Sequence, residues 1–181
     1  NIMDRRQQKS RKAIFDAFST LLGTKRYSKI TVQDIIDTAN VGRSTFYAHF
    51  ETKDELLNAI CAEIFDHIFE SVHAEDSPHA QDRSHALSDK LEHLLWHLRE
   101  QKREIRAFLT DDNSDLFLRY FKQHLALLFA DFADTANNNV PKAFATNHYV
   151  TSFAETVKWW SNEGMTIPPD ELVAYYMELI R

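Results

Sequence analysis

Apolar residues recur at three- and four-residue spacing along almost the whole chain, and no stretch alternates in the manner of a half-buried strand. Ile14, Phe15, Phe18, Leu21 and Leu22 form one stripe of a helix from about Arg5 to Gly23. In "KITVQDIIDTA", Thr31 stands as N-cap to a short second helix carrying Val32, Ile35, Ile36 and Ala39 on one side. Asn40 to Gly42 then reads as a tight turn, since Asn tolerates left-handed backbone angles and Gly adopts them freely. A third helix starts near Arg43. At 100° per residue it groups Arg43, Ser44, Tyr47 and Ala48 on one side and Phe46 with Phe50 on the other.

From Lys53 a longer pattern (Leu56, Leu57, Ile60, Ile64, Phe65, Ile68, Phe69, Val72) runs to the polar, proline-containing segment "AEDSPHAQD", which reads as a linker or loop. Further helices are expected at about 82–101, 103–110, 114–136, 141–163 and 169–180, the last opened by Pro168 and Pro169 with Asp170 and Glu171 in its first turn. The fold expected is therefore all-α, with about nine helices. Residues 1–53 would form a helix-turn-helix domain, 53–73 a connecting helix, and 54–181 a larger C-terminal domain.

Scarce glycine and proline agree with that class, and 181 residues suffice for a real core. Net charge is −6, which alone argues against a polyanionic partner, but its distribution reverses the inference. Residues 1–53 carry ten Lys or Arg against five acids, net +5, whereas the remainder carries eleven against twenty-two, net −11. Such asymmetry points to a small region that meets nucleic acid and a larger one with another task. The single cysteine, Cys61, lies within the apolar pattern and reads as a core residue. The absence of a signal-like or long apolar run implies a cytoplasmic protein with no membrane partner.

The segment "TVQDIIDTANVGRSTFYAHFETKDELL" resembles the TetR family of bacterial transcription factors. It has that family's Thr-led second helix, tight turn with Val, Thr-aromatic-Tyr-x-His-Phe recognition helix and Lys-acid-acid-Leu opening of the fourth helix. Two positions depart from the pattern: Asn40 stands where the family commonly has Gly, and Gly42 where Ser is usual, so position 42 lacks a side-chain cap or phosphate donor.

The resemblance implies that Thr31, Tyr47 and Lys53 bind phosphates, Thr31 through its hydroxyl and backbone N–H. It implies that Gln33, Arg43, Ser44 and Thr45 read base edges, and that His49 donates to a phosphate. For Thr45 and His49 the alternative is packing beside Phe46; for the rest it is a solvated surface role. Arg5, Arg6, Lys9, Arg11 and Lys12 read as a solvated basic helix, with minor-groove or backbone contacts as the alternative.

One short helix reads only a few base pairs, so a homodimer on a palindromic double-stranded operator is expected, with half-sites about 34–36 Å apart. By resemblance the last two long helices would form the dimer bundle. Trp159 and Trp160 would divide between core and partner, and Tyr175 and Tyr176 would be further dimerisation candidates.

A small-molecule effector would be lined by Phe65, Phe69, Trp96, Phe108, Phe117, Tyr120, Phe121 and Phe129, although aromatics at helical spacing are packing residues by default. His93 and His97 share one helical face, but two ligands do not make a metal site, and neither metal nor cofactor is expected. The reading is a regulator, a repressor released by its effector. The alternatives are an activator or a regulator controlled by a protein partner, and more distantly a helical enzyme or carrier. No Gly-rich phosphate loop or nucleophile elbow supports catalysis, so no catalytic residue is assigned.

Overall fold

The computed structural model describes residues 4–74, 83–109, 114–135 and 139–181. Among them are nine α-helices and no strand: α1 (Arg5–Leu22), α2 (Val32–Ala39), α3 (Arg43–His49), α4 (Lys53–Ala74), α5 (Arg83–Glu100), α6 (Lys102–Leu109), α7 (Ser114–Thr135), α8 (Lys142–Asn162) and α9 (Pro169–Leu179). Each expected helix is present, with ends within a residue or two of the periodicity. A single 3₁₀ turn at Tyr27–Lys29, not foreseen from the pattern, joins α1 to α2. Most of the expected linker, 75–82, lies outside the described residues.

The first three helices fold around Ile14, Phe18, Leu21, Ile35, Phe46 and Phe50, all buried. Asn40 ends α2 in the left-handed conformation, φ 54° and ψ 47°, as its short polar side chain permits. Gly42 corrects the expectation for its half of the turn: its φ of −75° is open to any residue, and a Cβ there would meet only ordinary contacts. Glycine at 42 therefore leaves α3 without a side-chain cap and satisfies no conformational demand. Gly23 leaves room for a side chain of another helix. Its backbone is right-handed, but a Cβ would lie 2.4 Å from Nε of Arg103 on α6, whose Nη2 donates to the carbonyl of Thr20 at 3.1 Å.

α4 carries the apolar core out of the head. Leu56, Leu57, Ile60 and Cys61 lead to Phe65, Ile68 and Phe69, and one buried cluster extends from Ile14 on α1 to Met177 on α9. Burial pushes the Cys61 thiol up to about 12, so it stays protonated and serves as a small apolar filler, as expected. α8 and α9 form a hairpin closed by Gly164 (φ 78°) and Met165 (φ 54°), with Met165 N–H donating to the Trp160 carbonyl at 2.8 Å. The buried Trp160 locks it by donating from Nε1 to the carbonyl of Ile167 at 2.9 Å.

Candidate nucleic-acid interface

The local chemistry of α2 fixes the entry to the head. Thr31 Oγ1 accepts from the N–H of Asp34 at 3.1 Å while the Asp34 carboxylate accepts from the N–H of Thr31 at 3.0 Å, a reciprocal cap. Lys25 adds an ion pair to Asp34 at 2.8 Å. That hydrogen bond from Lys25, followed by the one from the Thr31 backbone, holds the Asp34 pKa down at about 2. The cap corrects one part of the expectation for Thr31: its backbone N–H is committed to Asp34 and is not aimed outward. The hydroxyl accepts in the cap and keeps its own proton to donate.

α3 is anchored by one side only. Phe46 and Phe50 are buried, their centroids 6.0 Å apart, and Phe50 stacks on Phe15 of α1 at 5.8 Å. Arg43, Ser44 and Ala48 are exposed, and Tyr47 is 47% exposed although its ring abuts Phe46 edge-on. Arg43 donates from Nη2 to Gln33 Oε1, and Gln33 Nε2 donates to Asp37 at 2.8 Å. Two residues ten apart in sequence, both expected to read bases, are thus brought side by side on α2 and α3.

Thr45 and His49 face a cleft of about 520 Å³ between α1 and α3, lined also by Arg6, Ser10 and Arg11. Burial first, and the charge of Arg11 second, lower the His49 pKa from its ordinary value, so the ring is neutral at neutral pH with one N–H to give. Among the basic residues of α1, Arg5, Arg6, Lys9 and Lys12 are exposed, and Lys12 pairs with Asp16 at 2.8 Å.

Arg11 is different. Its guanidinium lies 4.6 Å from the Phe15 centroid and 5.1 Å from that of Phe50, and it bonds Glu63 of α4 at 3.1 Å. This residue joins α1, the end of α3 and α4, a role the sequence reading missed. Lys53 is also tied inward: Nζ donates to the carbonyls of Tyr27 (3.0 Å) and Ile30 (2.9 Å) and sits 4.3 Å from the Tyr27 ring centroid. Tyr27 in turn bonds Asp54 through its hydroxyl.

In the C-terminal part, the eight effector-lining candidates do not form one site. Phe65, Phe69, Phe108, Phe117 and Phe121 are buried on one another, with Phe65 5.0 Å from Phe117 and 5.4 Å from Phe121. Phe129 belongs to a second group with Phe153, Tyr149 and Tyr176, while Tyr120 is only partly buried. Trp96 corrects the expectation outright: it is 49% exposed on α5, with Arg99 5.6 Å from its ring. The surface clefts beside Arg6 and Thr45, Ala126 and Ala143, Gly23 and Arg103, and Phe15 and Glu63 are lined by none of these eight residues.

The dimerisation candidates split the same way. Trp159 and Tyr175 are about half exposed, whereas Trp160 and Tyr176 are buried in their own subunit, the latter donating to the Tyr149 carbonyl at 2.8 Å. Trp160 and Tyr176 are thus core residues of their own subunit, where the expectation had placed them among the dimerisation candidates. Phe144 (67% exposed) and Leu179 (86%) belong with the exposed pair instead. No apolar periodicity marks Phe144, which shares its face of α8 with the exposed His148 and Glu155. His93 and His97 approach through their Nε2 atoms at 2.7 Å, and no group of three metal-binding side chains forms among the described residues. No described helix is long and apolar enough to cross a membrane.

Comparison with known proteins gives this arrangement a family. Residues 12–60 match the model of bacterial regulatory proteins of the tetR family, and residues 85–181 match a transcriptional regulator C-terminal region. Over 71 residues the chain is 42% identical to the uncharacterized HTH-type transcriptional regulator YxbF of Bacillus subtilis, a match covering 36% of this chain and 19% of the relative. Over 51 residues it is 41% identical to DhaS, the HTH-type dhaKLM operon transcriptional activator of Lactococcus lactis, covering 28% of this chain and 27% of that one. The matched stretch thus spans about a quarter or less of either relative's length. A solved TetR transcriptional regulator from Streptococcus agalactiae is similar over nearly everything, with 34% identity, 98% of this chain and 97% of that chain covered, and a TM-score of 0.77. With a helix-turn-helix head whose second helix is held by its aromatics and bare on its polar side, and with both halves matched, the chain belongs to the TetR family of DNA-binding transcriptional regulators.

Proposed function

We propose that the protein acts in the cytoplasm as a homodimer that binds a palindromic operator and represses by occluding a promoter. A small-molecule effector would release it by changing the separation of the two heads. The observation that carries this reading is the bare polar face of α3: Phe46 and Phe50 hold the helix while Arg43, Ser44 and Tyr47 stay exposed. In this reading Arg43, Gln33, Ser44 and Thr45 meet base edges. Arg43 and Gln33 exchange their mutual bond for bonds to the groove. The Thr31 hydroxyl, Tyr47 and His49 meet phosphates, and the α1–α3 cleft with Arg6 and Ser10 takes the backbone passing beside it. Lys53 keeps the Tyr27 turn, and with it Thr31, in register. The exposed Phe144, Trp159, Tyr175 and Leu179 form the dimer face.

A second reading of the control step is favoured by the ring packing. Phe65, Phe117 and Phe121 are buried and fill their space with one another, which suits control by a protein contact at the surface better than an enclosed ligand. The same head serves an activator, as the name of DhaS describes that relative.

The test is selection of genomic fragments by the purified protein, then titration of the best fragment against random DNA at fixed salt. An enriched palindrome bound far more tightly than random DNA is expected. Weak, salt-sensitive binding with no enriched fragment would refute the assignment of α3 as a sequence reader.

A further inference from the structure

Three exposed side chains of the head form a hydrogen-bonded row. Arg43 on α3 donates from Nη2 to Gln33 Oε1, and Gln33 Nε2 donates to Oδ1 of Asp37, one turn further along α2, at 2.8 Å. The row fixes which way the Gln33 amide points. Reversed, the amide would set its NH2 against the guanidinium and its carbonyl against the carboxylate, and both bonds would be lost. Among the described residues no cation pairs with Asp37, whereas Asp34, the other acid of α2, is held by the Thr31 cap and Lys25. An exposed carboxylate on the face that carries Gln33 opposes the approach of a polyanion whatever its sequence. What it contributes there is discrimination between sequences.

We propose that Asp37 is a positioning residue for operator recognition: it holds the Gln33 amide so that Nε2 and Oε1 meet N7 and the N6 amino group of an adenine in each half-site. This rests on the reading above in which Gln33 and Arg43 leave each other for base edges. Once Arg43 turns to the groove, the Gln33 carbonyl has given up its partner on α3, and the bond to Asp37 keeps the amide from turning over.

Counting hydrogens shows why the carboxylate favours adenine. Gln33 Nε2 carries two; one goes to Asp37 and the other is left for adenine N7, while Oε1 accepts from the adenine amino group. Guanine presents acceptors at both N7 and O6, so it needs two donors where the held amide has one to give, and the carbonyl is set against O6. The wrong base is refused by a repulsive contact as well as a missing bond. Without Asp37 the NH2 group swings freely and offers both hydrogens, one to N7 and one to O6, and guanine comes to rival adenine. A bond between side chains four apart also stabilises α2, but that role alone leaves base preference unmoved.

The test is selection from a randomised double-stranded DNA library by the full chain, with base preference read at every position. Wild type is compared with Asp37→Ala, Asp37→Asn, Gln33→Ala and the double variant Gln33→Ala with Asp37→Ala. Wild type and Asp37→Asn should share a preference for adenine over guanine at one position of each half-site, since asparagine keeps an acceptor for Gln33. Asp37→Ala should cut that preference about fivefold or more, the lower end of what a base read by two bonds contributes, and leave the rest of the motif unchanged. The double variant should match Gln33→Ala alone. Both substitutions of Asp37 remove a negative charge and should tighten binding to random DNA alike, so charge does not account for a difference between them. An undiminished preference in Asp37→Ala, its loss in Asp37→Asn, or a further change in the double variant, which would make Asp37 itself a base contact, overturns the proposal and leaves Gln33 as a reader. A motif unaltered by Gln33→Ala, or no motif from wild type, overturns the base reading and the proposal with it.

Discussion

Gly23 and Arg103 join the head to the rest of the protein, and substituting each tests whether they act as a unit. The Gly23 backbone, φ −76° and ψ −11°, suits alanine, which would stabilise the chain by about 0.4–1 kcal/mol through the unfolded state alone. Against this, the new Cβ would lie 2.4 Å from Arg103 Nε and 2.9 Å from Nη2, so the guanidinium must leave. Its bond to the Thr20 carbonyl, 3.1 Å and exposed, is then lost at a cost of about 1 kcal/mol.

In the wild-type background the two effects nearly cancel, and Gly23→Ala should change stability by less than about 0.5 kcal/mol or lower it slightly. With Arg103→Ala in place there is no guanidinium to displace, so the same glycine substitution should stabilise by about 0.4–1 kcal/mol. The assay is urea unfolding followed by tryptophan fluorescence at one fixed protein concentration, across the four-membered cycle. A coupling of about 1 kcal/mol is expected; additivity within about 0.3 kcal/mol would refute the close approach as the reason for glycine.

Four further outcomes are expected. Arg43→Ala should cost about 1–3 kcal/mol of operator binding, concentrated at one base position; equal loss on random DNA would make Arg43 a backbone contact. Lys53→Ala should lower the unfolding midpoint by removing two carbonyl bonds, and leave the salt dependence of DNA binding nearly unchanged. A drop of one full unit in that slope would restore it as a phosphate contact. The Asp34 carboxyl is held near 2 in the folded chain, below its ordinary 3.8, so the stability it contributes is present above pH 4 and lost as pH falls toward 2. Stability curves of Asp34→Asn and wild type should converge in acid and separate above pH 4; parallel curves would refute the cap's contribution. Gly42→Ser should add a few tenths of a kcal/mol by capping α3, measurable as a raised midpoint, because the new side chain meets only Thr45 and Ser44 at ordinary distance.

How much of the site was legible depends on the range of the interaction. Thr31, Phe46, Phe50 and Tyr47 were readable because capping and the facing of side chains on a short helix are decided within a few residues. The partner of Thr31 in the reciprocal cap, Asp34, lies within that range and was open to the same reasoning. Arg11 was not readable: a basic residue on the first turns of α1 looks like its neighbours until α3 and α4 deliver Phe50 and Glu63 to it. Trp96 and Tyr176 went the wrong way for a related reason. Periodicity says that a helix has an apolar side but leaves open which aromatic at its border meets a neighbouring helix.

By itself, then, the sequence determined the helices, their caps, the turn at Asn40, the charge division between head and body and the family to which they belong. These are local or compositional properties, carried by spacing along one strand of chain. Tertiary structure alone decided that Lys53 faces two carbonyls of the preceding turn, that Gly23 makes room for Arg103, that the phenylalanines of the C-terminal part fill one another's space, and that Trp159 is bare where Trp160 is locked. Each depends on where a second helix lies, and that is set by the packing of the whole core.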